Sequence, residues 1–174
     1  MEFLMIFNFR LLQQRDLEWA RCLHNDPEVL DNLTDPTIVS IEQQTKWWYK
    51  LNESKTSERW VVENEKQERI GLIRLDNIDL HNYSICVGMD IEKNFRGKGL
   101  AKFIYKQLID LLFTRYNRIW LLVAEYNKRA FHIYQQLGFE EEGRHRQGLF
   151  KNGRYYDYIL MGLLKSEYHR IDLL

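Results

Sequence analysis

The chain has 174 residues, 45 % of them hydrophobic and 14 % aromatic, with 25 Lys plus Arg set against 25 Asp plus Glu. That length and apolar content fit one domain with a full core and exclude a disordered chain. A formal net charge of zero offers no field to draw in nucleic acid or an anionic membrane, and 2 cysteines are too few for a disulfide framework, so a reducing cytoplasm is the expected compartment.

The start, Met1 to Phe9, is apolar, but it carries Glu2 where a signal peptide has basic residues and lacks a small-residue cleavage site. It reads as a first strand, with Phe7 to Leu12 as its body. Asp16 is placed to cap a helix holding Leu17, Ala20 and Leu23. Asp26-Pro27 and Asp35-Pro36 then break the helical pattern into short pieces. Ser40 with Gln43 makes a capping-box pattern before a helix carrying Ile41, Trp48 and Leu51. Trp60 to Glu63, Ile70 to Leu75 and Tyr83 to Ile91 are β-rich runs that predict an antiparallel meander.

A helix from about Gly99 to Tyr116 follows, with Leu100, Ile104, Leu108, Leu111 and Leu112 on one side. Arg118 to Val123 is a short apolar strand, and Lys128 to Leu137 a helix stopped by Gly138. Phe139 to Phe150 and Arg154 to Leu164 predict a hairpin turning at Asn152-Gly153. No uncharged run approaches the roughly 18 residues of a membrane span. The order predicts an α/β (α+β) domain, a mixed and mostly antiparallel central sheet flanked by helices.

Two constellations carry chemistry. Asn94-Phe95-Arg96-Gly97-Lys98-Gly99-Leu100-Ala101-Lys102 places glycines at a helix start, where unpaired backbone N–H groups can hold a phosphate. Gly97, Gly99 and Ala101 keep side chains out of the way of a pyrophosphate. The loop is not a Walker A sequence, which needs four residues between its first Gly and the Gly-Lys pair, so ATP is not the expected ligand. The second constellation is Asn127, Ala130 and Tyr134 ahead of Gly138-Phe139, with Ala130 and Tyr134 on one helix face. Taken singly, Asn127 reads equally as an N-cap, Tyr134 as a half-buried aromatic and Gly138 as a helix stop.

In conjunction, at this interval and with a strand between them, they resemble the two signature motifs of the GCN5-related N-acetyltransferase superfamily. The resemblance covers roughly residues 83 to 163 well and the first 80 weakly. It implies one domain over residues 1–174: acceptor-side helices at about 16–53, an acetyl-CoA-binding core at about 83–139 and a C-terminal hairpin at about 139–164. It implies acetyl-CoA as cosubstrate and direct attack of a neutral amine on the thioester. Arg96, Gly97, Lys98, Gly99, Leu100 and Ala101 would hold the pyrophosphate. The backbone of Met89, Asp90 and Ile91 would pair with the pantetheine arm beside a splay in the sheet, and Asn127, Ala130 and Tyr134 would complete the site. Tyr134 would be the general acid toward the departing thiolate.

Many relatives carry a glutamate on the strand before the phosphate loop. Here that neighbourhood reads Tyr83-Ser84-Ile85-Cys86-Val87, without a carboxylate. Glu125 and Asp90 are the alternative bases, and deprotonation through ordered water or solvent is the other route. His132, two residues from Tyr134, diverges from it and reads as a surface histidine.

Residues 26 to 42 hold Asp26, Glu28, Asp31, Asp35 and Glu42 with no Lys or Arg. They read either as a solvated face or as an acidic wall for a cationic amine. Trp47 is a candidate aromatic platform there, and Trp48 reads as core. The tail, with Glu142-Gly143, Phe150, Asn152-Gly153-Arg154-Tyr155 and Asp157, resembles a subgroup that includes spermidine, ribosomal-protein N-terminal and amino-sugar acetyltransferases. Tyr155, with alternate tyrosines after it, is a candidate for lining the acceptor channel. A small amine, polyamine-like or an amino sugar, is the expected partner. A protein N-terminus and a non-catalytic acyl-CoA-binding module are the alternatives. Relatives often dimerise through their C-terminal strands, which makes a homodimer a further expectation.

Overall fold

The computed structural model describes residues 6–33 and 36–171, with side chains described as far as Tyr168. Residues 1–5 and Asp35, on which parts of the sequence reading fall, lie outside the described residues.

The elements follow in the order β1 (Asn8–Leu11), α1 (Leu17–His24), α2 (Pro27–Leu30), α3 (Ile41–Glu53), β2 (Glu58–Glu63), β3 (Arg69–Asp79) and β4 (Ser84–Ile91). Then come α4 (Leu100–Leu112), β5 (Arg118–Ala124), α5 (Lys128–Gln136), β6 (Glu140–Lys151), β7 (Arg154–Leu164) and α6 (Lys165–Ile171). The strands form one sheet in the order β1-β2-β3-β4-β5-β7-β6. Every neighbouring pair is antiparallel except β4 and β5.

The period-two side-chain alternation of the strands gives each face of the sheet its own core. Ile73, Leu75, Ile85 and Val87 face α4, whose stripe of Ile104, Leu108 and Leu112 they bury. On the other face Val61 and Leu72 pack with Leu17, Ala20 and Leu23 of α1, and Trp47, Trp48 and Leu51 of α3 close over them. The Ser40–Gln43 capping box forms at the start of α3, each side chain bonding the other residue's backbone N–H. The Asn152-Gly153 turn sits between paired Lys151 and Arg154 with both residues at positive φ (50° and 75°), the geometry of a two-residue hairpin loop.

Three expectations need correction. Regular α-helix ends at Leu112 instead of Tyr116; the chain tightens there, with Thr114 Oγ1 donating to Leu111 O at 2.6 Å. α6, absent from the sequence reading, forms where Glu167 accepts the backbone N–H of Leu164 and Tyr168 packs on Phe113. Asp16 does not cap α1 with its side chain. It is 1 % exposed and sits in an ion cluster, taking two bonds from Arg10 (2.7 and 3.0 Å) and one from Arg69 (3.3 Å), while Arg10 also bonds Glu63.

Burial pushes the Asp16 carboxyl up, but the Arg10 hydrogen bonds, the Gln13 N–H and the charges of Arg10 and Arg69 together outweigh it and leave the group below the ordinary carboxylate range. A depressed carboxylate stabilises the fold above its unfolded pKa and withdraws that stability as pH falls through the folded value. Asp16→Asn, which removes the buried charge shared by Arg10 and Arg69 and leaves Arg10 with Glu63 alone, is expected to cost about 3 kcal/mol in urea unfolding at neutral pH. The difference from the parent chain should shrink as the pH drops below about 4.

Candidate active site

The parallel pairing of β4 and β5 runs only from Ser84–Arg118 to Cys86–Trp120. Beyond that point β4 stays on β3 as far as Ile91, and β5 stays on β7 as far as Ala124. The two limbs part, and a cavity of about 310 Å³ opens between them. Its strand wall offers an unpaired β4 edge to an extended ligand, since a backbone edge without a neighbour is a ready partner for another chain-like amide.

Loop residues close one end. Gly97 and Gly99 have φ of 75° and 73°, a left-handed backbone that side chains disfavour. Gly99 is the N-cap of α4, so the first free N–H groups of that helix meet the cavity beside Leu100 and Ala101. No side chain stands over either glycine within 4 Å of where its Cβ would be.

α5 supplies the opposite wall. Asn127 caps that helix, accepting the Ala130 N–H at 3.1 Å, and its amide donates to Asn32 Oδ1 at 3.2 Å. Tyr134 packs edge-on against Tyr105 of α4, with ring centroids 5.4 Å apart and the two hydroxyls 3.2 Å apart. Burial pushes the Tyr134 phenol above its ordinary value; the Tyr105 hydrogen bond and the Arg74 charge oppose that shift without cancelling it. A phenol so placed is a neutral O–H donor across the physiological range.

Of the cofactor residues expected from sequence, Met89, Asp90, Ile91, Arg96, Gly97, Gly99, Leu100, Ala101, Asn127, Ala130 and Tyr134 line this one cavity. Lys98 does not; its ammonium lies over the Phe95 ring, 5.4 Å from the centroid. Arg96 is turned inward, donating to Ile91 O at 2.7 Å and pairing with Asp26 (2.7 Å) and Glu28 (3.1 Å). Its Nη2 is buried with no hydrogen-bond partner among the described residues.

The two candidate bases separate. Asp90 lines the cavity and accepts from Arg74 Nη1. Glu125 lies outside the cavity lining, where it accepts the Asp157 N–H at 3.0 Å. Cys86 occupies the strand position where a glutamate was sought, and burial pushes its thiol up to about 12, so it stays protonated. His132 is exposed and bonds Gln136.

The early acids are paired. Asp26 also caps α2, accepting the Glu28 N–H, and with Glu28 it holds Arg96. Asp31 binds Lys151 at 2.8 Å, and Tyr126 donates its hydroxyl to Asp31 O at 3.0 Å. α2 is thereby fastened on both sides of the split sheet. Trp47 lines a second cavity on the far face of the sheet. Tyr155 is exposed on the hairpin, against Phe150, whereas Tyr158, facing the other way, reaches the first cavity.

Sequence reading missed Arg74 and Tyr105. Arg74 was visible as a lone charge between Ile73 and Leu75, opposite Gly88. Tyr105 stood one turn after Ala101 in an otherwise aliphatic stripe. Among the described residues no group of three His, Cys, Asp or Glu is placed to hold a metal, and no helix is long and apolar enough to cross a membrane.

Comparison with known proteins converges on one family. The spermidine N(1)-acetyltransferase of Vibrio cholerae is 31 % identical over 161 residues, 91 % of this chain and 93 % of that one. A crystal structure of spermidine N-acetyltransferase from Vibrio cholerae with CoA and spermine superposes with a TM-score of 0.87 at 30 % identity, covering 94 % of this chain and 98 % of that one. A dodecameric structure of the spermidine N-acetyltransferase from Vibrio cholerae gives 0.81 at 30 % identity, covering 93 % and 95 %. Residues 7–140 match the acetyltransferase (GNAT) domain. With the split sheet, the glycine loop and Tyr134 in one cavity, that match settles the assignment: the chain belongs to the GNAT acetyltransferase family.

Proposed function

We propose that this chain transfers acetyl from acetyl-CoA to the primary amine of a small molecule by direct attack. The observation that carries the proposal is the single cavity formed by the parted strands, the Gly97–Ala101 loop and Tyr134. Acetyl-CoA supplies the activated thioester. The free N–H groups of the loop and of the α4 start hold its pyrophosphate, and the unpaired β4 edge at Met89 to Ile91 takes its pantetheine arm. The same edge offers N–H groups to the carbonyl oxygen as charge builds on it.

Asp90, on the cavity wall where Glu125 is not, takes the proton that frees the amine. The amine nitrogen then bonds to the acetyl carbon. As the carbon–sulfur bond breaks, Tyr134 protonates the leaving thiolate and recovers its proton from the nitrogen. Kinship points the acceptor toward polyamines, with amino sugars as the second candidates.

Thiol release from acetyl-CoA, screened against polyamines, amino sugars, amino acids and peptides with free N-termini, tests this reading. A small-amine hit is expected. Turnover of peptides alone would replace the acceptor class, and bound acetyl-CoA with no turnover would leave a non-catalytic acyl-CoA-binding module.

We further propose a homodimer through the C-terminal strands. β6 is a 12-residue edge strand, mostly exposed, and its outer row of N–H and C=O groups suits a second copy. Light scattering should give at least twice the 21.2 kDa chain mass; a monomer at micromolar concentration would refute it.

A further inference from the structure

The second cavity, of about 320 Å³, lies between the sheet and the helices α1 and α3. Arg74 and Asp90 line both cavities, so they mark where the two meet. This is where an amine held in the second cavity would reach a thioester held in the first.

The sequence builds this junction deliberately across two strands. Arg74 pairs with Gly88, and Asp90 follows two residues along β4 on the same face, a diagonal cross-strand neighbour. The guanidinium lies flat on the glycine: a Cβ on Gly88 would stand 2.8 Å from Arg74 Nη2 and 3.0 Å from Nε. Nη1 donates to Asp90, while Nε and Nη2 make no hydrogen bond to the described residues. Arg74 therefore keeps a two-donor edge free for something else.

The rest of the cavity is poor in acid. Its other charged or titratable side chains are Arg59, which pairs with Asp76 at 2.9 Å, and His24, which bonds Thr37 O. Gln43 and Gln44 add carboxamides, and Leu23, Leu72 and Trp47 add apolar wall. Asp26, Glu28 and Asp31 do not line it, and each is matched to a cation elsewhere. A polycation would carry its second ammonium into a space with two guanidiniums and one carboxylate already paired. A zwitterion meets the Arg74–Asp90 pair as its complement, cation to anion at both ends.

We propose that the acceptor is a small amino-acid-like zwitterion, its carboxylate held by the Nε/Nη2 edge of Arg74 and its amine beside Asp90. Its apolar body lies among Leu23, Leu72 and Trp47. This rests on the small-molecule reading above and narrows it, departing from the polyamines that kinship suggests. Arg74 is then the residue that sets acceptor specificity.

The test measures thiol release with apolar L-amino acids, their carboxamides, glucosamine and spermidine. The free acids should exceed their carboxamides in kcat/KM by about tenfold or more, the loss expected when a charge-assisted pair becomes a neutral contact. Because Arg74 also pairs with Asp90, Arg74→Gln should lower turnover of every acceptor, and in addition collapse the acid-over-carboxamide ratio of kcat/KM by about that tenfold; Arg74→Lys should restore part of the ratio. Spermidine turned over while the acids are not would overturn the zwitterion and leave the small-molecule reading standing. Equal losses for acid and carboxamide in Arg74→Gln would overturn the role of Arg74. Silence with every small amine would overturn both.

Discussion

Tyr134→Phe should lower kcat by about 10²- to 10⁴-fold, the usual contribution of a positioned general acid. Only the hydroxyl is removed, so the edge-on packing against Tyr105 and the contact with Phe139 are retained. Acetyl-CoA affinity in calorimetry should stay within about a factor of three, since a group that acts in the transition state contributes little to ground-state binding. The companion variant Tyr105→Phe removes the partner of the 3.2 Å hydroxyl contact but leaves the donor. Its loss should be much smaller. Unchanged turnover in Tyr134→Phe would transfer proton delivery to water. Because burial raises the phenol's pKa, the donor form persists to higher pH than in an ordinary tyrosine, so the proton-donor limb of the parent profile should lie above about pH 10.

Gly99→Val should be nearly as damaging, by a different route. The position has room for a Cβ, with nothing within 4 Å, so no clash inside the protein is involved. Its φ of 73° is the obstacle: a β-branched residue there costs about 1–2 kcal/mol and is pressed to leave the left-handed region. Leaving it turns the first N–H groups of α4 away from the cavity. The added methyls also stand where an anion must come close. Acetyl-CoA binding in calorimetry is expected to weaken by at least about tenfold, with a modest fall in unfolding midpoint. Gly143→Ala, on an open stretch of β6 with nothing within 4 Å, is the control and should change neither.

The order of the elements from β1 to β7 was legible because most boundaries carry a local signal, as the Ser40–Gln43 box and the Asn152-Gly153 turn illustrate, whereas the end of α4 and the whole of α6 carry none. Much of the cavity between the parted strands was legible for a related reason: two of the segments that line it, around Gly97–Ala101 and Asn127–Tyr134, are short and each opens a helix. The acceptor side was not. Asp26, Glu28 and Asp31 read locally as an unbroken acidic run, while the cations that satisfy them, Arg96 and Lys151, arrive from distant parts of the chain. Nothing in residues 26 to 42 announces that pairing. Likewise Glu125 looked free at a strand end, and only the neighbouring strand shows that the Asp157 backbone uses it. Asp16 sat where a cap belongs, but two arginines drew it into the interior.

The clasp that α2 makes has a mechanical side. A sheet unzipped along half of one strand pair is two cantilevers, each free to bend about the last shared rung at Cys86 and Trp120. α2 spans their tips like a tie-bar, bolted through Asp26 to Arg96 at one end and through Asp31 to Lys151 at the other. Both bolts are ionic, but only the Asp31 end is open to solvent, so ionic strength should loosen the slot at Lys151 while the Arg96 end, turned inward, holds.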